Sequence, residues 1–293
     1  MSKRYLTTVL IFFIFLQATA ARAANSPSDA SRNSVPMVLY DGYLIVIEGH
    51  ISHLPALHFA VDTGCTRSII DQHVADALNL PRNAATAFNL NKSLRVESAE
   101  LPDISFGPRH ASRVHVLIGD LGYLRATGGK VDLILGLDLL SQSTLGINFQ
   151  SRLVSFGEPS AIDPGSPHIS SVPLRLNPSS LQVDLNLGGH SIPVILDSGM
   201  PGILLYENHL DNLALNPHIE NLSAGHTVGG SLDSSTSILP RLRLGSTDLD
   251  RRVRLLHSTS PPPLHIAGYL GLSAISAKEV EFDFSHHEFR WKK

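Results

Sequence analysis

Two short acidic motifs are the residues of this sequence with the clearest capacity for chemistry. Asp62-Thr63-Gly64 follows the apolar run Phe59-Ala60-Val61, and Asp197-Ser198-Gly199 follows Val194-Ile195-Leu196. A carboxylate at the end of an apolar strand is poorly solvated, which is costly unless the acid is hydrogen-bonded or functional. The hydroxyl residue can donate a hydrogen bond, and the glycine lets the backbone approach the acid closely. One such motif alone is typical of an ordinary strand-ending turn, so the argument depends on the pair.

The spacing between the motifs recurs along the chain. Asp197 lies 135 positions after Asp62, and Leu135-Gly136-Leu137 precedes Leu270-Gly271-Leu272 by the same interval. Further pairs at this spacing are Leu78 and Leu213, Leu80 and Leu215, Asn148 and Asp283, and Phe156 and Trp291. A spacing shared at both ends of a domain-sized segment indicates an internal repeat. The chain is therefore predicted to form two similar lobes, each offering one acid.

The paired motifs resemble those of retropepsin-type aspartic proteases, in the bacterial form with two lobes fused in one chain. The resemblance covers residues 37–293 and includes the segments Asp132-Leu133-Ile134-Leu135-Gly136-Leu137-Asp138 and Gly268-Tyr269-Leu270-Gly271-Leu272. It implies a mainly β fold with two retropepsin-like β-barrel lobes in tandem and a cleft between them. It also implies an aspartic endopeptidase whose polypeptide substrate lies extended in the cleft, hydrogen-bonded to strand edges.

The resemblance assigns roles to the residues of both motifs. Asp62 and Asp197 would be the catalytic acids. The hydroxyl residues would bond across to the opposite motif, and the glycines would leave room for backbone N–H groups that face the carboxylates. These supporting residues are Thr63, Gly64, Ser198 and Gly199. The Leu-Gly-Leu segments would cross behind the turns.

Two carboxylates brought close together predict general acid–base chemistry. Like charges about 3 Å apart in a poorly solvated site cannot both ionise cheaply, so Asp62 and Asp197 would share a proton. One acid then activates a water molecule as general base, while the protonated acid donates to the peptide carbonyl oxygen. Protonation of the amide nitrogen accompanies collapse of the tetrahedral intermediate. The sequence does not say which acid carries the proton.

Several positions depart from the family pattern. Cys65 and Met200 stand three residues after the acids, where a small residue is usual, and Pro201-Gly202 follows Met200. Ser273 stands where lobe one has Asp138. Lobe two is therefore expected to be slacker and catalysis weaker. The alternatives are a catalytically weak or inactive peptide-binding module with this fold, or two ordinary turns in a duplicated β domain.

A lid over the cleft is expected from the less regular part of each lobe. In lobe two, Val228-Gly229-Gly230 suits the tip of a hairpin, and the corresponding stretch of lobe one is Asn91-Lys92-Ser93-Leu94. One or both segments would arch over the acids as a flap that excludes water. The alternative is a plain surface loop.

Composition narrows the classes of function. The chain has 293 residues, of which 43% are hydrophobic, and a formal net charge of −3 without a basic block, so no nucleic-acid partner is expected. The 15 histidines are scattered, and the adjacent pair His286-His287 would lie on opposite faces of a strand, so no metal site and no cofactor are expected. A glycosidase also uses two carboxylates but would not require the repeated motif. Asp132 and Asp138 have Ala267 and Ser273 at the corresponding lobe-two positions, which favours a structural role.

The single cysteine, Cys65, permits no internal disulfide. Its apolar surroundings should raise its pKa, which disfavours a nucleophilic role.

The chain ends and segments complete the prediction. Residues 1–23 read as a bacterial signal peptide, with Lys3 and Arg4 before a short apolar core, so the mature protein is expected in the periplasm or outside the cell. Cleavage after Ala20 or Ala23 is possible, and an uncleaved membrane anchor is the alternative. The predicted divisions are a mobile leader at 24–36, lobe one at 37–157, a linker at 158–172 and lobe two at 173–293. A monomer is expected, because two lobes in one chain make self-association unnecessary.

Local patterns predict the elements around the acids. A hairpin leads into each acid, and a short helix follows each motif, over Asp71–Leu78 in lobe one and Tyr206–Leu213 in lobe two. Irregular stretches are then predicted over Asn79–Ala99 and Asn216–Thr236. Each lobe is predicted to end in a strand pair.

Overall fold

The computed structural model describes residues 33–90, 92–157, 162, 168–177, 180–211, 213, 218–227, 230–257 and 265–293. Strands dominate these residues and the helices are short, so the predicted mainly β class is confirmed. The sheets form two barrel-like lobes joined along one set of strands. In the described part of the chain, no helix has the length and apolar character needed to span a bilayer.

Lobe one contains ten strands and two short α-helices, with a 3-10 helix at Gly122–Thr127. The strands are β1 (Ser34–Tyr40), β2 (Leu44–Ile51), β3 (Leu57–Val61), β4 (Ile69–Asp71), β5 (Asn83–Asn89), β6 (Lys92–Phe106), β7 (Arg109–Gly119), β8 (Leu133–Leu135), β9 (Thr144–Asn148) and β10 (Leu153–Gly157). The helices are α1 (Gln72–Ala77) and α2 (Leu137–Leu140).

The described part of lobe two contains one short α-helix, α3 (Glu207–Asp211), and a 3-10 helix at Leu272–Ile275. Its strands are β11 (Ile169–Pro173), β12 (Arg175–Asn177), β13 (Ser180–Leu187), β14 (His190–Asp197), β15 (Ile203–Tyr206), β16 (His218–Thr227), β17 (Gly230–Ile238), β18 (Leu242–Leu244), β19 (Thr247–Asp248), β20 (Arg252–Leu256), β21 (Gly268–Gly271), β22 (Glu279–Asp283) and β23 (Glu288–Lys292).

An equivalent pair of parallel strands leads into the acid of each lobe. In lobe one, β3 runs parallel to β8 with Phe59 opposite Leu133. In lobe two, β14 runs parallel to β21 with Val194 opposite Gly268. Val194 follows Phe59 by 135 residues, and Gly268 follows Leu133 by the same number, which is also the spacing of the two acids. Parallel strands covered on both faces require near-continuous apolar sequence, which explains the apolar runs before each acid.

A six-stranded antiparallel sheet joins the lobes, and we call it the interlobe sheet. Its strand order is β1-β10-β9-β22-β23-β11, so each lobe contributes three strands. The central pair is β9 with β22, in which Ile147 lies opposite Val280 and Leu145 opposite Phe282. These four side chains are buried, and burial of each stabilises the fold by about 1.5–3 kcal/mol. The lobes therefore share one continuous hydrophobic core.

A buried ionic cluster lies on the lobe-two side of this sheet. Arg290 on β23 donates from Nη1 to Glu281 Oε1 at 2.6 Å and from Nε to Glu288 Oε2 at 2.8 Å. Its Nη1 also lies 3.2 Å from Asp283 Oδ2. Gly146 of lobe one lies opposite Glu281 in the β9–β22 pair. The paired charges satisfy one another where water is excluded.

The structure corrects several predicted boundaries. The leader predicted at 24–36 ends within β1, because Ser34–Pro36 pair with β10. The linker predicted at 158–172 likewise ends within β11, which pairs with β23. The predicted signal peptide lies outside the described residues, together with the rest of residues 1–32 and with residues 158–161 and 163–167. Both corrections arise because the edge strands of the interlobe sheet are held by pairing distant in sequence.

The predicted irregular stretches are wrong, because long antiparallel hairpins occupy them. Strands β5 and β6 pair from Asn83 opposite Ser98 to Asn89 opposite Lys92. Strands β16 and β17 form the matching hairpin of lobe two.

The helices and the paired histidines also differ from prediction in detail. The helix after the lobe-one motif is α1, and Asp71 caps it by accepting from His73 N, as predicted. Its lobe-two counterpart α3 covers only part of Tyr206–Leu213. His286-His287 lie in the turn between β22 and β23 rather than on a strand.

Candidate active site

The Leu-Gly-Leu segments pack behind the two acidic turns. We call Asp62–Cys65 the lobe-one acidic turn and Asp197–Met200 the lobe-two acidic turn. Asp62 N donates to Leu135 O at 3.0 Å, and a Cβ on Gly271 would clash with the carbonyl oxygen of Met200. A Cβ on Gly136 would lie 2.6 Å from the carbonyl carbon of Arg67. The glycine of each Leu-Gly-Leu segment therefore allows close backbone packing behind each turn.

The hydroxyl residues cross between the lobes in a symmetric pattern. Thr63 Oγ1 donates to Leu196 O at 2.8 Å and accepts from Ser198 N at 3.0 Å. Ser198 Oγ donates to Val61 O at 2.8 Å and accepts from Thr63 N at 3.0 Å. Both hydroxyl residues are buried, with Thr63 0% and Ser198 1% exposed. Each satisfied hydroxyl thus ties its turn to the strand that leads into the opposite acid.

The two carboxyl groups lie together at the junction of the lobes. A Cβ on Gly64 would clash with the Asp197 carboxyl group, and one on Gly199 would clash with that of Asp62, so each acid lies against the opposite acidic turn. Gly64 N donates to Asp62 Oδ1 at 2.8 Å, and Gly199 N donates to Asp197 Oδ1 at 2.8 Å. A Cβ on Gly199 would lie 2.5 Å from Asp62 Cγ, so this position requires glycine. Burial, followed by the negative charge of Asp62, raises the pKa of the Asp197 carboxyl well above its ordinary value.

The residues three positions after the acids make this pair asymmetric. Cys65 donates to Asp62 twice, from N to Oδ1 at 3.2 Å and from Sγ to Oδ2 at 3.1 Å. Burial, followed by the Asp62 charge, raises the pKa of the Cys65 thiol, so it stays protonated and acts as a donor. Met200 stands at this position in lobe two, and a thioether has no proton to donate. Asp62 is therefore the better stabilised of the two as an anion.

Two apolar clusters flank the acids, and we call them the lobe-one wall and the lobe-two wall. Cys65 packs against the first and Met200 against the second, so both walls reach the acidic turns. The lobe-one wall consists of Leu44, Val46, Ala60, Ile69, Leu121, Leu124, Val131 and Ile134, with Tyr40, Tyr43, Leu117 and Tyr123 packed on it. The lobe-two wall consists of Ile195, Leu204, Tyr206, Leu256, Ile266 and Tyr269. Burial raises the pKa values of Tyr123 and Tyr269 above the ordinary tyrosine range.

The β5–β6 hairpin of lobe one reaches across to lobe two. Leu90, at the end of this hairpin, packs against the lobe-two wall. The hairpin therefore lies on the same side of the lobe junction as the two walls and the acids. Asn91, at the same tip, lies outside the described residues.

The flap predicted for lobe two is only partly described. Val228 and Gly229 lie outside the described residues, whereas Gly230 begins β17 opposite Thr227 of β16. Gly230 is therefore at the end of a hairpin, and the relation of this hairpin to the acids stays a prediction.

The two other acids of the lobe-one segment lie away from the pair and make structural contacts. Asp138 accepts from Ser68 Oγ at 2.8 Å, and burial raises the pKa of Asp138. Ser273, its lobe-two counterpart, accepts from Gly202 N at 2.9 Å and so supports the loop after Met200. Asp132 is fully buried and accepts from His58 N at 2.9 Å. Although burial alone would raise the pKa of Asp132, the hydrogen bonds from His58 lower it.

Possible metal ligands do not come together in the described ranges. Within them, no group of three or more histidine, cysteine or acidic residues has the arrangement needed to hold a metal ion.

Sequence reasoning missed two residues near the acidic turns. The thiol contact of Cys65 with Asp62 depends on side-chain direction, which a motif does not give. Arg254 on β20 is half-buried, and its Nη2 lies 3.5 Å from Pro201 O in the loop after the lobe-two acidic turn. Only the register of β20 shows which face the arginine occupies.

Together the fold and the paired acids define a two-lobed β protein with one aspartate from each lobe at the junction. Residues 47–139 match the family model described as aspartyl protease, and this segment extends from β2 into α2 and includes the lobe-one acidic turn. The match supports an aspartyl protease family. No curated protein matches the chain.

Proposed function

We propose that the protein is an aspartic endopeptidase that hydrolyses peptide bonds through a water molecule activated by Asp62 and Asp197. The observation that carries the proposal is the placement of each carboxyl group against the opposite acidic turn, held there by the crossing bonds of Thr63 and Ser198. A shared proton follows from two acids in so confined a place. The supporting roles of Gly64 and Gly199 belong to the same proposal.

The proposal assigns the proton to Asp197. Asp62 accepts three hydrogen bonds from its own turn, two N–H and one S–H, which favour its charged form. Asp197 has a raised pKa because of burial and the Asp62 charge. Asp62 would then take the proton of the attacking water, while Asp197 donates to the carbonyl oxygen of the scissile bond. The apolar walls would exclude bulk water around the reacting groups.

In this proposal the protein acts as a monomer and binds an extended polypeptide as its substrate. No metal, cofactor or nucleic acid takes part. The β5–β6 hairpin, whose Leu90 reaches the lobe-two wall, supports a role as a lid over the peptide. The two lobes would divide near the predicted boundaries, 37–157 and 173–293. Export to the periplasm or the outside of the cell is proposed from the sequence of residues 1–23.

The test is digestion of a peptide library by wild type, Asp62→Asn and Asp197→Asn. Each substitution keeps the shape of its turn and removes one titrating group, so turnover should fall by orders of magnitude in both variants. A peptide containing statine, which mimics the tetrahedral intermediate, should bind wild type. Activity unchanged in both variants would exclude the mechanism. Statine-peptide binding without cleavage would instead identify a peptide-binding module.

A further inference from the structure

The strand registers show that an arginine has replaced an apolar residue of one wall. In lobe one, β4 and β7 run parallel with Ile69 opposite Leu117. In lobe two, β15 and β20 run parallel with Leu204 opposite Arg254. Ile69 and Leu204 are 135 residues apart, so Arg254 occupies the position of Leu117. Leu117 packs on the apolar lobe-one wall, whereas the equivalent residue of lobe two, Arg254, is charged.

The strand pattern places Arg254 on the wall face of β20 rather than in the core. Alternate strand residues point to opposite faces. Val253 and Leu255 belong to the main hydrophobic core, whereas Leu256 belongs to the lobe-two wall. The side chain of Arg254 therefore projects on the same side as the wall and the acids.

One contact of Arg254 locates its guanidinium near the lobe-two acidic turn. Its Nη2 lies 3.5 Å from the carbonyl oxygen of Pro201, four residues after Asp197. The guanidinium thus lies next to the loop that follows the lobe-two acidic turn, on the wall face of β20.

This cation has no acidic partner among the described residues. Other arginines form close ion pairs, Arg175 with Asp184 and Arg290 with Glu281, but no described carboxylate lies within ion-pair distance of Arg254. Burial lowers the pKa of Arg254, although arginine stays charged at neutral pH. A half-buried charge without a partner is costly. The planar guanidinium group of Arg254 can donate two parallel hydrogen bonds to one carboxylate.

We propose that Arg254 is a specificity-determining residue that binds a carboxylate of the peptide substrate close to the scissile bond. This inference rests on the proposed peptidase function and deepens it by naming acidic peptides as the substrate class. The carboxylate is either an acidic side chain or the carboxyl terminus of the peptide.

The experiment compares matched substrates with wild type and variants. One pair of C-terminally amidated peptides differs only in Glu or Gln, scanned over the positions flanking the scissile bond. A second pair, without acidic side chains, differs only in a free or amidated C-terminus. For binding measurements, the four kinds of peptide (Glu, Gln, free C-terminus and amidated C-terminus) are also prepared as uncleavable statine analogues. The variants are Arg254→Leu, which restores the lobe-one residue, and Arg254→Lys, which keeps the charge without the fork. Arg241→Leu removes an exposed arginine paired with Asp248 and controls for net charge.

Wild type should favour the acidic member of one pair by about 10- to 100-fold in kcat/KM, the range of a charge-assisted hydrogen bond. Arg254→Leu should abolish that preference while cutting the neutral peptides at near wild-type rates, and Arg241→Leu should keep it. The Glu/Gln pair identifies a side-chain carboxylate, and the acid/amide pair identifies a terminal one.

The outcomes separate this inference from the proposed function. Cleavage without preference in either pair, or a preference that survives Arg254→Leu, would overturn the role of Arg254 and leave the peptidase standing. If nothing is cut but the acidic statine analogues bind wild type more tightly than Arg254→Leu, the carboxylate site stands and the peptidase fails. Equal binding of all four analogues would overturn the carboxylate site as well.

Discussion

At the residue scale, hydrogen-bond donors decide how the two acids differ. Asp62 and Asp197 occupy equivalent positions with equivalent bonds from Gly64 N and Gly199 N. The thiol of Cys65 adds a donor to Asp62 for which Met200 offers no counterpart. One side chain thus breaks the symmetry of a site whose backbone is nearly symmetric.

The first prediction concerns this thiol. Cys65→Ala removes the S–H donor to Asp62 and should shift the acid limb of the kcat/KM–pH profile upward by about half a unit to one unit, because the charged form of the pair loses a hydrogen bond. Cys65→Ser keeps a donor and should restore the wild-type limb. The measurement is the pH dependence of peptide cleavage. A purely structural role would lower the whole profile equally, and identical limbs in all three proteins would contradict the role of the thiol.

The second prediction concerns the stability cost of the paired acids. The folded-state pKa of Asp197 is raised, so the folded state holds a proton that the unfolded chain releases above about pH 4. The contribution of Asp197 to stability is therefore complete below that pH and is lost as pH rises through the folded-state pKa. Asp197→Asn should match wild type near pH 3 and become progressively more stable than wild type toward neutral pH.

Thermal melting of wild type and Asp197→Asn across this pH range tests that expectation. Asp184→Asn is a suitable control, because Arg175 lowers the pKa of Asp184 and the dependence should have the opposite sign. A pH-independent difference between wild type and Asp197→Asn would show that the raised pKa does not act on folding.

At the scale of elements, the acidic turns were predictable and the hairpins were not. The apolar runs before Asp62 and Asp197 mark β3 and β14 because both strands are covered on each face. The stretch Asn79–Ala99 has no comparable signal, since the β5–β6 hairpin is largely exposed and its polar and apolar residues do not alternate cleanly. Its pairing becomes evident only from the backbone.

Long-range pairing explains the other sequence-level errors. Pro36 and Pro173 belong to edge strands of the interlobe sheet, and both strands pair with residues more than a hundred positions away. Proline and small polar residues nearby favour a leader and a linker when read locally. The side of β20 on which Arg254 lies was likewise undetermined, because the register to β15 sets it.

The third prediction concerns the ionic cluster of the interlobe sheet. Arg290→Ala leaves Glu281 and Asp283 buried without their cation, so the free energy of unfolding should fall by about 3–5 kcal/mol. The double variant Arg290→Met with Glu281→Leu removes both charges and should recover much of the loss. Denaturant unfolding of wild type, Arg290→Ala, the double variant and its two single components, Arg290→Met and Glu281→Leu, measures both effects. A loss in the double variant as large as the sum of the single ones would show that the pair is not coupled.

At the scale of the whole molecule, the interlobe sheet makes the lobes depend on each other. Strands β9 and β22 each have a partner in the opposite lobe, so separating the lobes would expose two apolar edges. Exposed edges of this kind recruit other strands. The interlobe sheet is therefore the main structural connection between the two lobes.

The fourth prediction tests this dependence with an isolated lobe one, residues 33–157. Its free β9 edge should pair with the β9 of a second copy, and light scattering after size-exclusion chromatography should report a dimer or larger species, with the full chain as control. Asn148→Lys in the isolated lobe places a charge on the outward face of that edge and should reduce association. A stable monomeric lobe would show that the interlobe sheet contributes little to folding.

The position of Arg254 has a consequence for how a peptide is oriented. If two identical halves met at the acids, every wall residue would appear twice, and an extended chain could enter in either direction with equal contacts. Here Leu117 stands on one side and Arg254 on the other. Under the proposed function, a cation on one side and a hydrocarbon on the other would distinguish the amino end of a bound peptide from its carboxyl end. Two different halves in one sequence would then fix the direction of the peptide, which a symmetric pair of identical subunits cannot do.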